Sequence, residues 1–589
     1  MTGGSALRTA GLLAVLAVLW VAGSFLVASP YYVLLLALVP IWAAFGTSWN
    51  LFSGYSGLVS FGHAAFFGIG AYLVTLGLVR WNLTPWGTIP LAAGAGALAG
   101  LAIGSVTFRL RGSYFALAML AYPLMLAYLF AWLGYQEMSI PLHRNDAALF
   151  MQFADGHAYV ALATVLLLAA ALTSLRVERS RFGLLLAAVR QNELAAEAAG
   201  IDTFRAKMAA MALSGAFAAA SGGLYAVVLL VVTPGSVFGL VVSAQAMIVA
   251  LFGGAGTLWG PLIGAAVLVP LGELLQAELG AVLPGIQGVL YGLAVIAVVL
   301  LAPEGIFWKL HDLRRRVPVP SRRPPVPIGS ADVPRPPPGD TVLEVSGLAK
   351  SYGGVRAVQD VSFAVRDREI LGIIGPNGAG KTTLFNMLNG VVAPSAGTVR
   401  LRGRVLGGTR PSRTARLGVG RTFQVVRAFP RMTVLENVVV GAFARHPADA
   451  DAWRAARDAV TATGLGPHAH IEAAHLTTRE LRLMELARAL AGKPTLLLLD
   501  EPLAGLGADD TAELIAVVRR LPARGITVAL IEHTVHAMTG LVDRFVVLDG
   551  GRKLTEGPPG EVLREPAVIE AYLGRNWQPT DAAVAHAAG

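Results

Sequence analysis

Gly375-Pro376-Asn377-Gly378-Ala379-Gly380-Lys381-Thr382-Thr383 is the stretch whose reading decides the fold of the C-terminal half. It follows the apolar run Ile370-Leu371-Gly372-Ile373-Ile374 and precedes a helical pattern from Leu384 to Leu388. A strand, a glycine-rich loop and a helix in that order fit the phosphate-binding pattern G-x-x-x-x-G-K-[ST]. Gly375, Gly378 and Gly380 let the backbone curl, so that the N–H groups from Asn377 through Ala379 to Thr383 converge on one anion. The start of the following helix adds the positive end of its dipole. Lys381 reaches the outer phosphates, and Thr382 offers a hydroxyl to Mg²⁺. The strand before the loop and the helix after it separate this reading from a chance match.

Three further stretches complete a nucleotide site. Leu496-Leu497-Leu498-Leu499 reads as a buried strand of a parallel sheet, and it ends in Asp500-Glu501-Pro502. Two acids at the end of a buried strand are costly unless a cation or hydrogen bonds compensate them. Asp500 is therefore expected to hold Mg²⁺ through water and Glu501 to polarise the attacking water. Gln424, in Arg421-Thr422-Phe423-Gln424, is expected to reach Mg²⁺ or that water. His533 ends the strand pattern Val528-Ala529-Leu530-Ile531-Glu532 and is expected at the γ-phosphate. Upstream, strands are expected at Val342–Val345 and Val361–Val365, with Tyr352 in the connection between them as a platform for adenine. The cofactors this site calls for are ATP and Mg²⁺.

The N-terminal half has a different composition. Of all residues 55% are hydrophobic and 14% charged, and the apolar excess lies almost wholly before Pro303. Apolar segments near 10–28, 31–52, 60–79, 88–107, 113–134, 158–175, 206–231, 239–257, 261–278 and 285–302 are each about long enough to cross a hydrocarbon core of ~30 Å. The stretch around 52–62 and the Gly253-Gly254-Ala255-Gly256 break read as re-entrant or broken helices, so the expectation is eight to ten spans. The first reads as a membrane span rather than a cleaved leader, because its apolar core is long and many spans follow. Basic residues set the orientation. Arg109 and Arg111, the group from Arg176 to Lys207, and Arg314-Arg315-Arg316 all fall on the cytoplasmic side if the N-terminus is cytoplasmic and there are ten spans.

The net charge of +10 thus belongs to loops beside a lipid bilayer and argues against a nucleic-acid partner. The chain contains no cysteine, which excludes disulfides, thiolate metal sites and a cysteine nucleophile. Few charges lie within the spans, so no proton relay is visible. Glu273 and Glu278 read as interfacial, and His63, between Gly62 and Ala64, as a packing or hydrogen-bonding residue. The dense glycine and alanine of Ala92 to Gly100 read as close helix packing. Residues Arg181 to Ile201 are too polar to span. Their helix formers stop at Gly200, Glu193 and Glu197 share a face, and the segment reads as a coupling element that docks on an ATPase.

The expected domains are a transmembrane domain at 1–303, a proline-rich cytoplasmic linker at 304–340 and a nucleotide-binding domain at 341–589. Nine prolines between Pro318 and Pro338 preclude a packed core there and favour an extended tether of ~3 Å per residue.

With these motifs assembled, the C-terminal half resembles an ABC-type ATPase over almost its whole length. Leu530-Ile531-Glu532-His533 and Ala567 to Leu573 resemble the ATP-binding subunits of branched-chain amino-acid importers. Gly54-Tyr55-Ser56-Gly57, Leu110 to Tyr114, Glu193 to Gly200, and Gly253 to Gly256 with Gly260-Pro261 resemble the permease subunits of the same systems. The resemblance implies an all-α polytopic membrane domain fused to an α/β P-loop ABC ATPase. It also implies ATP-driven uptake across a bacterial cytoplasmic membrane, with the ATPase in the cytoplasm. Partners would be a second permease, a second ATPase and an extracytoplasmic solute-binding protein. Branched-chain or related hydrophobic amino acids are the implied solutes. Urea or another small solute is the alternative, and an exporter half-transporter a more remote one, argued against by the many short spans.

Two departures stand out. The family's signature loop, leucine-serine-glycine-glycine-glutamine, closes over the partner's nucleotide. Here it reads Leu476-Thr477-Thr478-Arg479-Glu480. Thr477 replaces the serine hydroxyl, and Arg479 replaces a glycine that lets backbone approach phosphate. Thr477, Arg479 and Glu480 are expected to face a partner's nucleotide, in a site that is slow or mainly structural. After the acid pair, Gly505-Leu506-Gly507 lacks the aspartate usual there. The degenerate signature favours a heteromeric partner over a homodimer.

Overall fold

The computed structural model describes residues 3–301, 307 and 337–573, apart from Arg111, Arg144, Gly280, Pro284, Gly407 and Thr534. The basic residues Arg111 and Arg314 to Arg316, and nearly all of the proline-rich segment, lie outside the described residues.

The described chain forms two compact units. One holds the membrane helices up to Arg190 and from Thr203 onward; the other holds Gln191–Asp202 and the C-terminal half. Among the described residues nine helices are long and apolar enough to cross a membrane, within the expected eight to ten. In chain order the first unit contains α1 (Gly3–Ser24), α2 (Pro30–Trp49), α3 (His63–Trp81), α4 (Pro85–Thr107), α5 (Ser113–Trp132), α6 (His157–Glu178) and α7 (Arg181–Gln191, its last residue in the other unit). After α8 (Glu193–Ala198), which belongs to the second unit, it continues with α9 (Thr203–Leu229), α10 (Pro234–Phe238), α11 (Leu240–Gly253), α12 (Trp259–Leu279) and α13 (Ile286–Leu301).

Both suspected interruptions are breaks. The α2 helix runs into a π-helical turn at Asn50–Gly54, and the chain is non-helical from Gly57 to Gly62. Helix α11 stops at Gly253, and α12 restarts at Trp259. The helical pattern across 181–200 is also interrupted. Asn192 is extended, and its side-chain oxygen accepts from Ala195 N at 3.0 Å, starting α8 as a separate helix.

Small residues carry the packing of α3, α4 and α9. Gly96 and Gly215 face each other so closely that a Cβ on either would stand 2.2–2.4 Å from the other's carbonyl oxygen. The unit's core is aromatic: Trp42 stacks on Phe67 with centroids 5.7 Å apart, and Tyr72 on Phe238 at 5.6 Å. His63 is fully buried and satisfied on both nitrogens, Nδ1 by Ser60 Oγ at 2.9 Å and Nε2 by Ser214 Oγ at 2.7 Å, as its hydrogen-bonding reading expects. The strand pair β1 (Met138–Ser139) and β2 (Val231–Val232) joins the loops after α5 and α9. These loops are separated by two spans, so an orientation with both on one side is self-consistent.

The second unit is built on two sheets. An antiparallel sheet has the order β4-β3-β6-β7, from β3 (Thr341–Tyr352), β4 (Val355–Arg366), β6 (Ala396–Leu401) and β7 (Arg404–Val405). The larger sheet has the order β12-β11-β5-β10-β9-β8, from β5 (Ile370–Ile374), β8 (Val419–Arg421), β9 (Leu496–Asp500), β10 (Thr527–Ile531), β11 (Arg544–Asp549) and β12 (Arg552–Gly557). All its pairings are parallel except β11 with β12. The first two strands are longer than the sequence suggests. Tyr352 ends β3 rather than sitting in a loop, because only Gly353-Gly354 turns the chain into β4.

Residues 191–202 pack within this unit. Gly200, with φ +94°, ends α8: its N–H bonds to Glu197 O and that of Ile201 to Ala196 O, the paired bonds of a glycine-terminated helix. Arg416 Nε donates to Gly200 O at 3.1 Å, and Arg431 N to Gln191 Oε1 at 2.8 Å. Ala195, Ala198 and Ala199 face a cleft floored by Ala415, Gly420, Arg421, Gly441 and Ala444.

Candidate functional site

Strand order brings the nucleotide motifs together. β5, β10, β9 and β8 are consecutive neighbours, and their carboxyl ends lead respectively into the phosphate loop, His533, the Asp500-Glu501 pair and Gln424. Ligands of parallel α/β sheets bind at that end.

The loop is shaped by its glycines. Gly375, Gly378 and Gly380 have φ of +153°, +83° and +93°. A Cβ at Gly375 would stand 2.1 Å from Leu548 O, and one at Gly380 2.4 Å from Ala357 O. Asn377 and Thr382 are exposed at the loop surface, Thr383 is half-buried and Ala379 is buried beneath. Lys381 opens the helix Lys381–Leu388, and its Nζ donates to Gly375 O at 2.6 Å and Pro376 O at 2.9 Å. Burial lowers its pKa, against the pull of Glu501 and Asp500.

Asp500 is buried at the end of β9. Its Oδ2 accepts from Arg421 Nη2 at 3.1 Å, while its Oδ1, also buried, has no hydrogen-bond partner among the described protein atoms. Burial raises the Asp500 pKa, and Arg421 opposes the shift. A desolvated carboxylate oxygen without a donor fits a cation. Asp500 together with the Thr382 hydroxyl therefore suits Mg²⁺.

Glu501 holds the three expected catalytic side chains as one cluster. Gln424 Nε2 donates to its Oε2 at 3.0 Å, and His533 Nε2 lies 2.8 Å from its Oε1. Its φ of +46° is strained for a residue with a Cβ, a cost of ~1–3 kcal/mol that the surroundings must hold in place. One restraint is the bond from Glu501 N to Ile531 O at 2.9 Å. Tyr352 is 47% exposed, its ring 5.2 Å from Lys350 Nζ, and so leaves a face open to a base.

The signature residues are engaged within their own chain. Thr477 caps the helix Thr478–Ala491, its hydroxyl accepting from Glu480 N at 3.3 Å while the Glu480 carboxylate accepts from Thr477 N at 2.7 Å. Glu480 is buried, with His468 Nε2 3.4 Å away, and its carboxylate serves as an internal cap of the helix. Arg479 is drawn to the helix Ala508–Arg519, where its guanidinium pairs with Glu513 and lies 3.6 Å from Asp510. Its charge is thereby compensated within its own chain, and only its bulk is left at the loop.

Four positioning groups escaped sequence reading. Arg482 donates to Phe423 O at 2.8 Å and Gln424 O at 2.7 Å. Glu485 accepts from Phe423 N at 3.3 Å and Arg427 N at 3.1 Å, and burial raises its pKa. The Gln424 strand end is thus gripped from both sides by one helix. Glu532 accepts from Leu503 N at 2.6 Å and so fixes the loop after the acid pair. Tyr572, on the C-terminal helix Pro566–Leu573, faces the backbone of Gly375. The visible signal for Arg482 and Glu485 is charge on what should be the apolar stripe of a helix.

The fold and site define an ATP-binding cassette ATPase joined to a polytopic permease domain. Residues 31–302 match the family described as branched-chain amino acid transport system / permease component. Residues 358–504 match the ABC transporter family, and residues 552–576 the branched-chain amino acid ATP-binding cassette transporter family. The high-affinity branched-chain amino acid transport ATP-binding protein LivG of Salmonella typhimurium is 41% identical over 251 residues, covering 40% of this chain and 98% of LivG. BraF of Pseudomonas aeruginosa, named likewise, is 38% identical over 251 residues, with the same coverage. A crystal structure of the ADP conformation of an ATP-binding cassette of an ABC transporter is 28% identical, covers 40% of this chain and 99% of its own, and has a TM-score of 0.38. The chain belongs to the branched-chain amino acid family of ABC transporters, with a permease component and an ATP-binding component fused in one polypeptide.

Proposed function

We propose that this chain is one half of an ATP-driven importer of branched-chain or related hydrophobic amino acids. It lies in a bacterial cytoplasmic membrane with its ATPase in the cytoplasm. The observation that carries the reading is the meeting of Lys381, Asp500, Glu501, Gln424 and His533 at the carboxyl ends of neighbouring strands, in a chain whose first half matches a branched-chain permease. The solute class is supported by that permease match and by the branched-chain amino acid transport in which LivG and BraF serve.

Each residue has a definable task. The loop N–H groups from Asn377 to Thr383 and the Lys381 ammonium bind the phosphates. Thr382 and Asp500, with Gln424 near, hold Mg²⁺, which when bound neutralises phosphate charge. Glu501 accepts a hydrogen bond from the attacking water and draws off its proton as the oxygen bonds to the γ-phosphorus. The bond from that phosphorus to the bridging oxygen breaks, and ADP carries away the electron pair. His533 and Gln424, both hydrogen-bonded to Glu501, fix its orientation and sense the γ-phosphate. Tyr352 supports the adenine.

Two permeases and two ATPases make a complete importer, and this chain supplies one of each. The signature that closes over Lys381 comes from a partner, for which a different subunit suits better than a second copy. An extracytoplasmic solute-binding protein delivers the solute. The site completed by Thr477 and Arg479 is the slower of the two, because the Arg479 side chain stands where backbone would meet phosphate.

Glu501→Gln tests this directly. In the purified complex it should reduce ATP turnover at least about 100-fold while leaving ATP binding intact, the scale of a lost general base. Near-normal turnover would mean that the working site lies elsewhere.

A further inference from the structure

Gly54-Tyr55-Ser56-Gly57 and Gly253-Gly254-Ala255-Gly256 carry much of the permease likeness, yet nothing in ATP hydrolysis uses them. Both are helix interruptions in the membrane unit, and one side chain reaches both. Arg190, near the end of α7, donates from Nη1 to Gly54 O at 2.8 Å and lies 3.5 Å from Ala255 O. Gly57 and Gly256, with φ of +77° and +76°, stand on either side of that side chain. A Cβ at Gly57 would come within 2.8 Å of Arg190 Cγ, and one at Gly256 within 2.0 Å of Arg190 Nη1. The two glycines make a slot whose width is set for the Arg190 side chain. A cation suits the carbonyl end of an interrupted helix, and the planar fork of a guanidinium can meet carbonyls of two segments at once.

The breaks are also tied to each other. Asn50, fully buried, donates from Nδ2 to Thr257 O at 2.9 Å and accepts at Oδ1 from Gly256 N at 2.7 Å. They can therefore move as one block, with Arg190 as its handle. At the next peptide bond the chain passes from the membrane unit into the unit that contains Gln191–Asp202.

We propose that Arg190 is the positioning residue through which displacement of segment 191–202 reaches the two breaks, so that nucleotide-driven motion opens and closes the solute path at the paired glycine motifs. The proposal rests on the transport reading above and adds the residue that connects its two halves.

The chain has no cysteine, so one can be placed cleanly beside the first break with Leu58→Cys. In the purified complex in nanodiscs, ATP should change the rate of maleimide labelling at that position at least about fivefold, the low end of ordinary coupling. Arg190→Gln should reduce the change below about twofold with ATP affinity unchanged, and Arg190→Lys should restore part of it. Gly256→Ala, which keeps Arg190 but closes its slot, should behave like Arg190→Gln. An ATP response in both Arg190→Gln and Gly256→Ala equal to that of the parent would overturn the proposal, as would a parent that shows none. Uptake of radiolabelled L-leucine separates the two readings. A parent that responds to ATP yet carries no leucine refutes the assigned solute and leaves the role of Arg190 standing.

Discussion

Arg421 and Asp500 show how much of the site depends on single residues. Their side chains are each 2% exposed and 3.1 Å apart. Arg421 Nη1 also donates to Asn386 Oδ1 at 2.7 Å, on the helix that begins at Lys381. Removing one member of a buried pair leaves an uncompensated charge and costs ~3–5 kcal/mol. Arg421→Gln should therefore lower the unfolding free energy of the ATPase unit by about that much in chemical denaturation, and it should raise the Asp500 pKa further. Asp500→Asn alongside Arg421→Gln should recover a large part of the loss. If the single variant is as stable as the parent, the pair is not what holds β8 against β9. The sequence identified Asp500 because an acid ending four leucines is conspicuous. It did not identify the task of Arg421, since nothing local says which of many arginines will lie beneath a strand 79 residues away. Glu480 shows the converse: the spacing of Thr477 and Glu480 is that of a capping box, and the structure forms it.

Among the elements, the helix Thr478–Ala491 joins the signature end to the Gln424 segment. Arg482 and Glu485 project from its buried side and hold that segment through backbone groups alone. Motion of the helix is thereby imposed on Gln424 whatever the sequence of the held strand end. Arg482→Ala should lower kcat for ATP about tenfold or more with nucleotide Kd little changed, because Gln424 and its bond to Glu501 lose their support. Equal losses in kcat and affinity would indicate general damage instead. Elements were the scale at which the sequence was most legible. The strand–loop–helix at 370–388, the leucine strand and the two helix breaks follow from local periodicity and glycine placement. The division at Asn192 did not, since helix formers flank it and only the side-chain cap reveals the stop.

For the whole molecule, the instructive fact is that the second unit includes a piece of the first half of the chain. The sequence indicated two functional halves and a coupling segment. Which unit that segment packs with depends on a floor of alanine and glycine far along the chain, whose small side chains give no sequence signal. A docked segment of this kind makes the joining of the two halves in one chain a matter of local concentration, which linkage can raise to the order of millimolar. Co-produced with the partner subunits, residues 1–303 and 341–589 as two polypeptides should accordingly assemble and support uptake, with activity rising with expression level toward that of the intact chain. Absence of uptake at every expression level would assign the tether a role beyond proximity.

The same arrangement sets a schedule for synthesis. Helix α8 leaves the ribosome about 300 residues before Pro494, the most distant part of its floor, has been made. At ~5–20 residues per second that is a wait of roughly 15–60 s. For that interval an alanine-faced helix is held next to a membrane domain with nothing to pack on. The newborn permease must therefore keep that segment unengaged until its own ATPase arrives. The early life of the chain is thus open to capture by a neighbouring ATPase, and fusion shortens that period to the time of one passage through the ribosome.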